Sequence, residues 1–411
     1  MALVKPFKAV RPKKGLEDKI AALPYDVYSS MEAREVVADK PDSFLNIDRP
    51  ETMFEVGHDM YAKEVYLKAA ERFNEMISDG RFVQEDSDCF YIYELIMDGR
   101  SQTGIVGCSS VDDYNNSVIK KHENTRADKE LDRINHVDAL SAQTGPIFLA
   151  YRADEKLSAL VNSIKGGAPL YDFTSEDGIT HRAWVISDEA DIKLISERFE
   201  AVGDVYIADG HHRCASAAKV CIKRREENSG YTGDEEFNSF LSVLFPDEEL
   251  MIMDYNRVLK DLNGMSAEEV ISKLSELGEV TENMDEDKHP NKKGVVSFFI
   301  DGKWYSLAFK DELMLDDPVE GLDVSVLQNN VLKPLFGIDD PKTDKRIDFV
   351  GGIRGIKELE KRVNTDCKIA FAMYPTDISE LFSVADAGLL MPPKSTWFEP
   401  KLRSGLFIHK F

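Results

Sequence analysis

The sequence predicts an α/β (α+β) protein with a mixed-sheet core and a second, smaller α+β region. Three observations predict it. Long amphipathic helical patterns alternate with short apolar runs along all 411 residues. Two pairs of apolar runs meet at Asp-Gly dipeptides, the signature of tight hairpins. A third run, Val205 to Ala208, ends at Asp209-Gly210 and passes directly into a helical pattern. The length suits two or three domains, and a hydrophobic fraction of 43% is ample for their cores.

In chain order, Met60 to Met76 carries Tyr61, Val65, Leu67, Ala69 and Phe73 among charged residues and reads as an amphipathic helix ending near Gly80. Phe90–Ile96 and Gln102–Cys108 form a hairpin around Asp98-Gly99, and Ser117–His122 reads as a further strand. In the helix that follows, Leu131, Ile134, Val137 and Leu140 are placed on the buried face, with Asp128 and Asp132 sharing another. Cys214, Ala217, Ala218, Cys221 and Ile222 recur at helical spacing after the Asp209-Gly210 turn, which makes Cys214 a core residue rather than a nucleophile. Ser229 to Glu236 is turn-rich and acidic, and reads as a boundary. Phe240–Phe245 reads as a strand, Ser266–Leu277 as a helix with a Ser266/Glu269 capping box, and Gly294–Ala308 as a hairpin around Asp301-Gly302. Met391 to His409 is rich in proline and in aromatics, so an ordered segment is expected. The resulting division is a core at 1–235, a smaller α+β region at 236–345, and a segment at 346–411 that returns to the core.

With 75 acidic against 51 basic residues the net charge is -24, which disfavours nucleic acid and anionic membranes as partners. The short basic run from Lys219 to Arg225 reads as a solvated helix face. Five scattered cysteines, an odd number without a Cys-x-x-Cys pair, argue against a disulfide framework and a thiolate zinc site. A reducing cytoplasm fits. No stretch approaches the ~20 apolar residues of a membrane span, and the first residues lack a secretory apolar core. The expected partner is a small-molecule substrate, and the oligomeric state is left open, a homodimer included.

Two polar constellations stand out. Asp209, Gly210, His211, His212 and Arg213 lie where a strand turns into a helix. A glycine can adopt the left-handed turn, the first helical N–H groups and the helix dipole favour an anion, and Arg213 adds a planar fork of donors for phosphate oxygens. An ordinary solvated turn is the simpler alternative for an isolated Asp-Gly, but this density of ionisable groups favours a functional site. The second constellation runs from His122 to Arg133. His122, Glu123, Asp132 and Arg133 are its candidate functional residues, with Asp132 or Asp209 as an oxygen ligand for Mg²⁺ and Glu123 as a general base. Asp128, Lys129 and Glu130 fit the charged first turn of any helix.

Taken together, Pro24-Tyr-Asp-Val27, His122-Glu-Asn-Thr125, Asp132-Arg133, Ala208-Asp-Gly-His-His-Arg213, Leu322-Asp-Val-Ser-Val-Leu327 and Met391-Pro-Pro-Lys-Ser-Thr396 resemble the bacterial and archaeal family called domain of unknown function 1015 (DUF1015). Leu23 departs from the family's usual second proline, and in Ile252–Arg257 only Arg257 matches a Pro-Thr-His-Arg-like stretch. The Asp209–Arg213 knot is also similar to the Asp-Gly-x-x-Arg signature of the ParB and sulfiredoxin-like superfamily, and above all to the Asp-Gly-His-His-Arg motif of kinases that phosphorylate free L-serine. That second resemblance is local. It implies a ParB-like strand-turn-helix that binds the phosphates of ATP or ADP, with CTP as a further option, and a Mg²⁺-dependent kinase acting on a small hydroxyl compound such as free L-serine. In this scheme His122, Glu123 and Asp132 are catalytic, Asp209 to Arg213 hold phosphate, and Arg133, Lys394, Ser395 and Thr396 bind substrate. A metal-dependent phosphoester hydrolase, using His122, Glu123, Asp209, His211 and His212 as ligands, and a noncatalytic nucleotide sensor are the alternatives.

Overall fold

Asp98 and Gly99 both take positive φ, 51° and 79°, the backbone that a two-residue hairpin turn matched to strand twist requires. They join β1 (Phe90–Met97) to β2 (Arg100–Ser110) in an antiparallel pair closed at Met97 and Arg100. This hairpin is the centre of a nine-stranded mixed sheet. The computed structural model describes residues 1–411, in two compact units: Met1–Leu250 with Pro400–Phe411, and Met251–Glu399.

In the first unit the sheet is completed by β3 (Ile119–Lys120), β4 (Ile147–Tyr151), β5 (Tyr171–Thr174), β6 (Thr180–Ile186), β7 (Val205–Asp209) and β8 (Ser239–Pro246), in the order β3-β7-β4-β8-β2-β1-β6-β5, with Val4–Lys5 paired to β2. β7 runs parallel to β3 and antiparallel to β4. Helices α1 (Lys63–Ser78), α2 (Ala127–Leu140) and α3 (His211–Glu227) lie in this unit. Cys214, Ala217, Ala218 and Cys221 of α3 pack with Ile147, Leu149, Val205, Ile207, Phe240 and Leu244 of the strands. Burial pushes the Cys214 thiol well up, in keeping with a core role.

Two expectations change. β8 lies beyond the turn-rich 229–236 stretch yet sits between β4 and β2, so that stretch is a connection inside the first unit. Of the 346–411 segment, only Pro400–Phe411 belongs to the first unit, where His409 pairs with Gln143. A local turn signal cannot report which strands pair beyond it.

The second unit carries a six-stranded sheet of β9 (Tyr255–Leu259), β10 (Gly278–Glu282), β11 (Val295–Ile300), β12 (Lys303–Phe309), β13 (Ile347–Gly351) and β14 (Ile369–Ala372), in the order β10-β12-β11-β14-β9-β13. Asp301 and Gly302 again turn the hairpin with positive φ, 48° and 75°. Helix α4 (Ala267–Leu277) opens on the Ser266/Glu269 capping box, and α5 (Ile356–Thr365) follows β13. No helix is long and apolar enough to cross a membrane.

Candidate phosphate-binding site

β7 ends at Asp209, and Gly210 turns the chain with φ 98° and ψ 28°. The first intrahelical bond of α3 runs from the Cys214 N–H to the Gly210 carbonyl, 2.9 Å. The N–H groups of His211, His212 and Arg213 therefore precede the helical ladder. No side chain caps this end, and its first turn holds no acidic residue. The Arg213 guanidinium lies against the glycine, since a Cβ at Gly210 would stand 3.1 Å from Arg213 Nε. Arg213 Nη1 donates to the Pro146 carbonyl at 2.6 Å, and Nη2 stands 3.7 Å from Asp209 Oδ2. Asp209 accepts the Gly210 N–H on Oδ1 at 2.8 Å and Lys401 Nζ on Oδ2 at 3.2 Å. Burial opposes its ionisation, but Lys401 and Arg213 prevail and hold the carboxyl well below its ordinary range.

The parallel pairing of β3 with β7 brings His122 to His211. Their rings meet edge to face, centroids 4.5 Å apart, and the His122 N–H points at His211 Nε2 at 3.4 Å. His212 Nε2 accepts the Arg126 N–H at 3.0 Å. Each neutral ring therefore carries its proton on Nδ1. Burial lowers His122 to about 4 and takes His211 well below its ordinary value. His122 Nδ1 is buried without a hydrogen-bond partner. Glu123 lies half-buried on the connection between β3 and α2.

Helix α2 corrects the expected pattern. Its buried residues are Glu130, Asp132, Arg133, His136 and Leu140, whereas Leu131 is 58% exposed. Charged groups can take the inner face because each meets a partner there. Asp132 accepts Tyr66 Oη on Oδ1 at 3.0 Å and Arg133 Nη2 on Oδ2 at 2.8 Å, and the Arg133 guanidinium lies 3.9 Å over the Tyr25 ring. Asp128 is exposed and pairs with Arg126, so it shares no face with Asp132. Asp132 and Asp209 are each paired with cations, and no group of three or more His, Cys, Asp or Glu side chains converges as a metal-ligand set. Each of the two carboxylates expected as a Mg²⁺ ligand is thus already paired with a cationic side chain.

A small cavity of about 30 Å³ opens beside Arg213, lined in part by Tyr25, Asp48, Arg133, Thr144 and Ser404. Thr144 Oγ1 donates to the buried Asp48 carboxylate at 3.0 Å. Asp48, Thr144 and Ser404 carry no local sequence signal. Tyr25 belongs to the Pro24-Tyr-Asp-Val27 motif, which by itself gives the ring no role. Lys394, Ser395 and Thr396 belong to the second unit, where the Lys394 carbonyl accepts Arg257 Nη2 at 3.0 Å and the Ser395 carbonyl accepts Thr376 Oγ1 at 2.9 Å.

The family model described as "Protein of unknown function (DUF1015)" matches residues 4–325. The chain belongs to the DUF1015 family. No curated protein matches it in sequence. Among solved structures, this DUF1015 chain is similar to a conserved hypothetical protein from Pyrococcus furiosus, at 17% identity and TM-score 0.34, over 74% of this chain and 94% of that one. It is also similar to a free serine kinase in complex with AMP, at 15% identity and TM-score 0.35, over 74% and 91%. A third is SbnI with a C-terminal truncation from Staphylococcus aureus, at 11% identity and TM-score 0.39, over 74% and 87%.

Proposed function

We propose that this DUF1015 protein is a nucleotide-dependent phosphotransferase acting on the hydroxyl of a small metabolite, with free L-serine as the acceptor to test first. The observation that carries the reading is the α3 start: three N–H groups outside the helical ladder, no acidic residue in the first turn, and Arg213 laid over Gly210. Such a start supplies prearranged donors for phosphate oxygens and for charge that builds on a transferred phosphoryl group. ATP and ADP are the donors to compare, with CTP as the control. The polar cavity beside Arg213 supports a small acceptor: the Asp48 carboxylate suits an ammonium group and Arg133 suits a carboxylate.

In this scheme Gly210 to Arg213 hold the phosphates and Glu123 takes the acceptor hydroxyl proton. His122 and His211 line the site as neutral rings, and Asp132 fixes the position of Arg133. Mg²⁺ would enter as the nucleotide's counter-ion. The hydrolase alternative is less well supported, because His211 Nε2 and His212 Nε2 already face backbone N–H groups and no ligand set forms around them.

The deciding experiment incubates the purified chain with ATP or ADP and a panel of amino and hydroxy acids, and follows phosphorylated products by mass spectrometry. Phosphoserine formed only in the presence of nucleotide is the expected result. Nucleotide binding without transfer to any acceptor would replace this reading with noncatalytic sensing.

A further inference from the structure

The first unit holds a second cavity, of about 690 Å³, that the phosphate site does not use. Its volume falls in the range of sites that take small organic ligands. One wall is the short helix Glu17–Ile20 with the loop after it. A second is the helix Ser30–Val37, opened by a Ser29/Glu32 capping box, with the 39–45 loop beyond. The turn between β5 and β6 and the Arg403 side chain complete it. A backbone bridge divides it from the small cavity beside Arg213: the Ala22 N–H donates to the Ser404 carbonyl at 3.2 Å, and the Ser404 N–H to the Ala22 carbonyl at 2.9 Å. Leu23 and Arg403 line the large cavity, whereas their chain neighbours Pro24 and Ser404 line the small one.

Arg403 is the one buried charge among the lining residues, its side chain 4% exposed. Its Nε donates to His181 Nε2 at 3.2 Å, so the histidine carries its proton on Nδ1 and gives it to Tyr93 Oη at 2.8 Å. Burial lowers His181 to about 3, which keeps the ring neutral. Nη2 of Arg403 donates to Ser175 Oγ at 3.0 Å and to Asp177 Oδ2. These bonds fix the guanidinium plane and leave Nη1, with its two donors, unbonded. Tyr28 lines the same cavity half-buried, and Arg403 opposes the rise that burial gives its hydroxyl. Ala22, Leu23, Val36 and Leu45 supply an apolar wall. The rim is acidic. Lys40 pairs with Glu176 at 2.6 Å and Asp42 with Arg81 at 2.8 Å, which leaves exposed Asp18 and Asp39 against the single free ammonium of Lys19.

We propose that this cavity binds a short apolar peptide by its two free ends, the terminal carboxylate on Arg403 Nη1 and the Tyr28 hydroxyl, the terminal ammonium at the Asp18 and Asp39 rim. The charges are sorted by depth, with a free guanidinium edge inside and free carboxylates outside. A dianionic phosphate would have to pass the rim carboxylates, and a simple amine would bring a second cation to a buried one. A peptide spaces its opposite charges along an apolar body, as the cavity does. The site is separate from Arg213 and does not rest on the phosphotransferase reading.

The test is titration calorimetry of the full chain with the dipeptide Leu-Leu, its N-acetyl form and its amide, each derivative lacking one terminal charge. Wild type is expected to bind Leu-Leu, the amide about tenfold more weakly and the acetylated form about threefold more weakly, since a buried charge contact outweighs an exposed one. Arg403→Met should abolish Leu-Leu binding. Asp18→Asn with Asp39→Asn should bind Leu-Leu no better than its acetylated form, and both better than the amide. These two aspartates are exposed, so their variant decides the matter even if Arg403→Met does not fold. Arg213→Ala should bind Leu-Leu as the wild type does. The proposal is overturned if Leu-Leu does not bind, if either derivative binds as tightly, if the rim variant keeps the wild-type preference for the free ammonium, or if Arg213→Ala loses the dipeptide.

Discussion

His122 and His211 meet edge to face at 4.5 Å although 89 residues separate them. The contact follows from the pairing of two short parallel strands, Val205 opposite Ile119 and Tyr206 opposite Lys120, which end side by side. A strand end cannot bury ionisable rings without a reason in packing or in chemistry. Here both rings stay neutral beside an ionised Asp209, at the mouth of a helix that offers free N–H groups.

Their burial makes stability depend on pH. In the unfolded chain these histidines titrate near 6.5, whereas the folded chain lowers His122 to about 4 and His211 further. The unfolded state therefore binds more protons in this window, and stability is present above about 6.5 and lost as the pH falls towards 4. His122 alone accounts for about 3 kcal/mol across that range. Urea denaturation between pH 7.5 and 4.5 should show this fall, and His122→Gln should make it shallower; an unchanged slope in the variant would sink the assignment.

Gly210→Ala should damage both the fold and the site. A side chain at φ 98° is strained, and its Cβ would press on Arg213 Nε. A cost of about 1–2 kcal/mol in stability is expected from the backbone alone. Nucleotide affinity should fall at least tenfold in the same variant, because the displaced guanidinium no longer lines the cradle.

Arg213→Ala should weaken ATP or ADP binding by about 1.5–3 kcal/mol, the range for hydrogen bonds to charged groups. Titration calorimetry measures it directly. Equal affinity in wild type and variant would move the phosphate site elsewhere.

Glu123→Gln should preserve nucleotide affinity and lower turnover about a hundredfold, the loss expected of a missing general base. Asp132→Asn should behave differently, because that carboxylate is already tied to Arg133 and Tyr66. Its variant should lose stability and raise KM for the acceptor more than it lowers kcat. Wild-type turnover in Glu123→Gln would show that the proton leaves by another route.

Much of the framework is legible in the sequence. The Asp98-Gly99 and Asp301-Gly302 hairpins, the Ser266/Glu269 capping box and the glycine turn at 210 all formed as read, because each depends on backbone geometry within a few residues. Helix α2 departs from its apolar spacing for the complementary reason. Counting apolar residues put Leu131 inside, but Asp132 and Arg133 occupy the interior because Tyr66 and Tyr25 meet them there. Asp48, Thr144 and Ser404 were invisible, being single polar residues scattered along the chain and brought to one cavity by folding.

The sequence by itself determined that a strand would turn at Gly210 into a helix whose first N–H groups lie open, since propensity, glycine freedom and apolar spacing act locally. Only the tertiary structure decided which charges are compensated. Asp209 finds Lys401, Arg133 stacks on Tyr25 and bonds Asp132 in a buried pocket, and Arg257 is buried with carbonyls alone. Compensation depends on distances of a few ångströms between groups far apart in the chain, because the Coulomb and desolvation terms that decide a buried charge are set by its neighbours in space.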